Sequence, residues 1–203
     1  VRGFVLSRLA AGVLVAAALC VDAAPALVRE SVAMASARLP TMERKASVLL
    51  ESATEVERRY WTDVYPIEAG LLSTGRVRDP GMARQAAWAI VLESERRHLS
   101  PRLIAEVMKV ENPWLVRDTV SYAGAVGWMQ VMPFHAADGA HPCGTDLTDG
   151  PTSVCFGADI LREYIGRALD DALRQALLRF NGCRTTPGCE RYAVDIMAAL
   201  EES

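Results

Sequence analysis

Residues 99–114, LSPRLIAEVMKVENPW, decide how the fold is read. Ser100 is a good N-cap, Pro101 suits a first helical turn, and Pro113 stops the helix that begins there. Between the prolines, Ile104, Val107, Met108 and Glu111 recur at three- and four-residue spacing, so they share one helical face. Glu111 therefore ends an apolar stripe, whereas Glu106 lies well round the helix. Apolar surroundings and the negative end of the helix dipole both disfavour a charged carboxylate, so the pKa of Glu111 is expected to rise. A carboxylic acid that keeps its proton near neutral pH can act as general acid and then as base. The competing use of Glu111 is a plain ion pair with Lys109 or Arg117 at a helix end.

Downstream, AGAVGWMQVMPFHA (residues 123–136) places a lone amide, Gln130, in an apolar patch. Gly124 and Gly127 permit close backbone approach or unusual turns. A sugar ring needs apolar faces to rest on and a few placed amides to bond its hydroxyl and acetamido groups. Gln130 and Asn181 could supply the amides; Trp114, Met129, Phe180 and Tyr192 could supply the surface. The alternative for Trp128, Met129 and Met132 is core packing.

Further out, the pattern is helical almost throughout. Residues 26–38 and 42–61 read as helices split by Pro40, and 81–98 as another, with Glu93 and Arg97 at helical spacing. Segment 62–80 holds Pro66, Gly70, Gly75 and Pro80, reads as broken or loop-like, and is the candidate domain boundary. Residues 137–150 read as a loop. Helices are expected over 151–168, 170–180 and 188–201, the last with Tyr192, Ile196 and Leu200 on one face. Strand-like alternation is nearly absent, so the fold class is mainly α. The expected organisation is a signal peptide over 1–23, an N-terminal helical extension over 24–80, and the main domain over 81–203.

A chain of 203 residues suffices for one domain with a sizeable core and a helical extension. A formal net charge of −3 argues against nucleic acid as a partner. His98, His135 and His141 form no HExxH and the cysteines no CxxC pair, so neither a metal centre nor a cofactor is expected. At the N-terminus, Arg2 and Arg8 precede or enter LAAGVLVAAALCV (9–21), an apolar run short for a membrane span and right for a secretory signal. VDA (21–23) offers small residues for processing near Ala23 or Ala24. The expectation is export to the periplasm; a retained membrane anchor is the alternative. Leu19 is a poor residue before a lipidated cysteine, which argues against Cys20 as an anchor. The four remaining cysteines then read as two disulfides. Of the three connectivities, Cys143–Cys155 and Cys183–Cys189 are favoured, because each closes a short segment rich in Gly, Pro and Thr. Free buried thiols are the other reading.

Four motifs occur in order: VENPWL (110–115), SYAGAVGWMQVMPFHA (121–136), ALLRFNGC (176–183) and ERYAVDIM (190–197). Together, over about residues 85–200, they resemble the lysozyme-like domain of bacterial lytic transglycosylases of the soluble type. That family's pattern is a Glu followed by Ser, a GxxGLMQxMP-like block, an AYNAG-like block and a late Tyr. The resemblance implies that Glu111 is the single catalytic acid. It places Met129 and Gln130 at substrate-contact positions, with Ser121 opening the same block. Phe180 and Asn181 match the Tyr-Asn pair, and Tyr192 the late tyrosine near the acid. Departures are Asn112 for Ser, Trp128 for Leu, Phe180 for Tyr and Gly182-Cys183 for Ala-Gly.

The reaction so implied cuts peptidoglycan between N-acetylmuramic acid and N-acetylglucosamine without adding water. Glu111 protonates the leaving oxygen, and the substrate's acetamido group stabilises the anomeric carbon. The resulting carboxylate takes the proton of the C6 hydroxyl, which closes to a 1,6-anhydro sugar. Glycan strands are the implied partner, with cell-envelope machinery a further candidate; the sequence fixes no oligomeric state. A goose-type lysozyme, which uses water, is the nearest rival and needs a second carboxylate, for which Asp118, Asp138, Asp146 and Asp149 are the candidates. Other rivals are a non-catalytic wall-binding protein and a helical scaffold acting through residues 26–65, although packing on the main domain is the favoured use of those helices.

Overall fold

The computed structural model describes residues 26–137, 139–167, 171–183 and 188–202, with side chains from residue 41 onward except Glu43. The signal-peptide reading of residues 1–23 falls outside them. Among the described residues no helix is long and apolar enough to cross a membrane.

The chain is mainly α-helical. Helix α1 spans Ala26–Arg59, a π-helical turn Tyr60–Val64, α2 Tyr65–Ser73, α3 Pro80–Arg97 and α4 Pro101–Glu111. A 3-10 turn at Pro133–Ala136 precedes α5 (Gly150–Arg167), α6 (Ala172–Phe180) and α7 (Arg191–Glu201). Strand-like pairing among the described residues is limited to two isolated bridges, Val120 with Val126 and Val126 with Val131.

Two expectations fail in the N-terminal third. Pro40 does not split the first helix: α1 runs through it. A proline's fixed φ is itself helical, so the helix can continue past it although one hydrogen bond is lost. Segment 62–80 is not mostly loop either. Pro66 sits in the first turn of α2, where its missing N–H costs nothing.

The chain forms two compact units, Val1–Glu57 and Arg58–Ser203. In the first, the described side chains of α1 are exposed, including Met42, Leu49, Leu50 and Val56. The second holds the core. It takes in α2, because Leu71 is buried in the main hydrophobic cluster with Ile67 and Leu72 packed against it. Buried Glu68 of α2 is chelated by Arg84 of α3 through Nε and Nη2, both at 3.1 Å, and receives the Tyr60 hydroxyl at 2.9 Å. A boundary at residue 80 would cut this cluster; the contact boundary falls at 57/58 instead.

Helix α3 is the centre. Ala83, Ala86, Ala87 and Ala89 are buried along it, and such small side chains let neighbouring helices approach closely. At its end, Arg97 pairs with buried Glu93 as the spacing predicts, and reaches Asp159 of α5 at 3.0 Å. The Arg97 guanidinium also lies 3.5 and 3.3 Å from the sulfurs of Cys143 and Cys155, which are disulfide-bonded and tie the 137–150 loop to α5. On α5, Gly157 lies directly against Met129: a Cβ there would meet three Met129 side-chain atoms at 2.6–2.7 Å.

Helix α6 ends as its Asn181-Gly182 sequence suggests. Gly182, at φ +66°, donates to the Arg179 carbonyl at 3.0 Å, and Cys183 donates to that of Leu178 at 2.8 Å. This double closure needs a left-handed residue, which glycine adopts without penalty. The second disulfide, Cys183–Cys189, then joins that corner to the start of α7. Both disulfides have the favoured pairing.

Candidate active site

Ser100 stands at the N-cap of α4 with extended backbone, although its hydroxyl makes no capping bond. Ile104, Val107 and Met108 point into the core and are fully buried. The same face carries Glu111, the last residue of α4, which is half-buried. The ion-pair alternatives are spent elsewhere: Lys109 pairs with Glu106 at 2.6 Å, and Arg117 bonds Gln85.

Glu111 is met by α7. The Tyr192 hydroxyl donates to Glu111 Oε1 at 2.6 Å. Among the described residues Oε2 has no protein partner, so this oxygen is free to carry a proton to a bound molecule. Burial pushes the Glu111 carboxyl up to about 7 from an ordinary 4.5, while the bond from Tyr192 pulls the other way. Tyr192 itself is held well above the usual phenol range, first by burial and then by the adjacent carboxylate. Near neutral pH the site therefore holds a carboxyl poised between its two forms and a tyrosine that keeps its proton.

The segment after Glu111 is locked to itself. Asn112 is buried, and its amide is fully used. Nδ2 donates to the carbonyls of Val116 at 2.6 Å and Gly127 at 3.2 Å, and Oδ1 accepts from the Val116 N–H at 3.0 Å. The Trp128 indole donates to the Leu115 carbonyl at 2.8 Å. Val126 and Val131 exchange backbone bonds at 2.9 and 3.0 Å. Leu115 and Gln130 hold positive φ angles of 54° and 47°, strained for residues with a Cβ. Such strain persists where surrounding contacts over-determine the backbone.

The structure brings some of the sequence-predicted residues together and not others. Gln130 lies beside the acid's neighbour: its Nε2 donates to the Gly127 carbonyl at 2.8 Å, the same oxygen that Asn112 binds, and to that of Thr119 at 3.3 Å. Its amide thus spends both donors on the loop. Asn181 is exposed at the end of α6, and Phe180 is half-buried against the core. Ser121 accepts from the Ala125 N–H at 3.0 Å and closes a turn. Met129 has 0 % exposure: it is a core residue packed on Gly157, and a sugar could not rest on it. Neighbouring positions on an irregular loop alternate direction with no period, so spacing could not say which would face inward. Trp114, by contrast, is 61 % exposed.

Of the four aspartates considered as a second carboxylate, two are engaged locally. Asp146 Oδ1 accepts from the Thr148 N–H at 2.9 Å and hydroxyl at 2.6 Å. Asp149 Oδ2 caps the first turn of α5 through Thr152, at 3.0 and 2.8 Å. Asp118 is exposed, and Asp138 lies outside the described residues. Asn112 is the residue whose role the sequence concealed. An asparagine just past a helix end is a common turn former, but nothing in the spacing shows that it would bind two separated backbone segments.

Fold and site define a mainly α, lysozyme-like helical domain with a half-buried carboxyl of raised pKa. Residues 89–185 match the family model of the transglycosylase SLT domain. The match implies lytic-transglycosylase-type activity on peptidoglycan. The match begins within α3 and includes Glu111, Gln130 and Asn181; Tyr192 lies beyond it. Comparison with curated proteins and with solved structures gave no match.

Proposed function

We propose that the protein is an exported, periplasmic lytic transglycosylase that cleaves the N-acetylmuramic acid to N-acetylglucosamine bond of peptidoglycan and leaves 1,6-anhydro ends. The observation that carries this reading is the Glu111–Tyr192 pair. A half-buried carboxyl raised to about 7, with one oxygen held by a phenol and the other open, suits a group that first gives a proton and then takes one. The Tyr192 bond supports the carboxylate formed after the first step without removing its basicity. Substrate-assisted stabilisation by the acetamido group needs no second protein carboxylate, and the local duties of Asp146 and Asp149 favour that chemistry over a hydrolytic one.

The test is mass spectrometry of the soluble products from purified peptidoglycan, with Glu111→Gln run beside the native chain. Anhydro-muropeptides from the native protein are expected, with a loss of about 10²–10⁴-fold in the variant, the range of general acid–base catalysis. Products heavier by one water would make the protein a hydrolytic muramidase. Products of neither kind, with sacculus binding retained, would make it a wall-binding protein.

A further inference from the structure

The connection between α2 and α3, outside the matched family segment, packs beside Trp114, three residues past Glu111. Gly75, Arg76, Val77, Arg78 and Asp79, with Met82 of α3 and Trp114, line a cavity of about 340 Å³. Trp114 follows Glu111 by three residues, which limits the separation of their Cα atoms to about 11 Å. The Arg76 guanidinium carbon lies 5.8 Å from the centre of the Trp114 ring. Among the described residues neither Arg76 nor Arg78 meets a carboxylate, whereas Arg84, Arg96 and Arg97 of the neighbouring helix are all paired. Asp79, the acid in the cavity wall, has Oδ1 on the Gly81 N–H at 2.8 Å, capping α3.

An exposed indole face offers a flat apolar rest for one side of a pyranose ring. Two unpaired guanidiniums beside it offer planar forks for carboxylates. A neutral oligosaccharide would use the indole and leave both cations idle. The strand that Glu111 is proposed to cut carries carboxylates on every muramic residue, in the lactyl group or the peptide attached to it. Resting on that proposed function, we infer that this cavity is a subsite for the carboxylate-bearing branch of the strand. Trp114 lies under a sugar, and Arg76 and Arg78 engage carboxylates of the attached peptide. Residues 75–79 precede the family match at residue 89, so the matched segment alone would lack the two arginines.

The experiment uses the full chain carrying Glu111→Gln, which separates binding from turnover. Isothermal titration compares peptide-bearing glycan strands, the same strands stripped to the lactyl carboxylate by an amidase, and a chitooligosaccharide of equal length. Adding Arg76→Ala and Arg78→Ala is expected to weaken the peptide-bearing strand about tenfold, since two bidentate forks are lost from an exposed site. Chitooligosaccharide affinity should not change, while Trp114→Ala should weaken all three. A loss confined to the stripped strand keeps the subsite and assigns the carboxylate to the lactyl group, which an attached peptide converts to an amide. Unchanged affinity for all three strands in the double arginine variant overturns the subsite. Failure of the parent to bind any of the three overturns the glycan reading itself, and the subsite with it. Both arginines are exposed, so melting curves of parent and variant should coincide.

Discussion

The two structures that hold Glu111 are built in opposite ways. On one side, residues 112–131 are fixed from within a single short stretch. Asn112 binds Val116 and Gly127, Trp128 binds Leu115, and Gln130 returns to Gly127. On the other side, Tyr192 arrives from 81 residues away, on a helix tied to its predecessor by one glycine-closed helix end and one disulfide. The first arrangement fixes the chain that continues directly from the acid. The second sets which of its oxygens is occupied. Burial raises this carboxyl and the Tyr192 bond lowers it, so the two influences oppose each other.

The largest expected effect tests the burial of Glu111. A carboxyl whose pKa rises on folding, here from 4.5 to about 7, stabilises the native chain fully below the lower value and loses that contribution as pH rises through the upper one. The loss is up to about 3 kcal/mol, at about 1.36 kcal/mol per unit. Denaturant unfolding at about pH 5 and about pH 8 should therefore show a smaller drop for Glu111→Gln than for the native chain. Equal drops would mean that the carboxyl is wetter than its position indicates. Next, Asn112→Ala removes three hydrogen bonds from the locked stretch and should cost about 2–3 kcal/mol, read as a lower denaturation midpoint. A variant as stable as the native chain would show that the stretch holds itself without its asparagine.

On the open side, joint replacement of Cys183 and Cys189 by serine should cost about 2 kcal/mol by loop-closure entropy, with a larger relative loss of activity than of stability. Loss of stability with full activity would show that Tyr192 docks without the clamp. The smallest effect is that of Tyr192→Phe. Removing the bond that lowers the carboxyl's pKa should raise it, so the alkaline fall of the activity profile, expected near pH 7, should move upward. A downward move would show that the phenol does more than donate to Oε1.

Much of this was legible before the structure. The prolines and apolar spacing around 101–111 placed α4, and the position of Glu111 at the end of a buried stripe followed from periodicity. Short Gly- and Thr-rich segments led to the disulfide pairing. The juxtaposition of Tyr192 and Glu111 had no signal in spacing and came from the order of four motifs. Pro40 and Pro66 misled because a proline is compatible with helical φ, and only the surrounding chain decides whether the helix continues. Met129, offered as a sugar-contact residue with core packing as the alternative, packs inward, and Asn112, noted only as a replacement for Ser, binds backbone. Arg76 meets Trp114, and Arg78 shares their cavity, through tertiary packing that no local pattern encodes.

The contact between Gly157 and Met129 gives the molecule a remote handle. Gly157 has no polar duty and lies on α5, yet even a methyl group there must push Met129, whose peptide bond continues into Gln130 and whose N–H is held by Ser153 at 3.0 Å. A displacement begun on one helix would travel through a strained peptide to the floor beside the acid. Position 157 is therefore a natural place to seek conditional alleles, in which the chain folds at low temperature and loses its working geometry on warming.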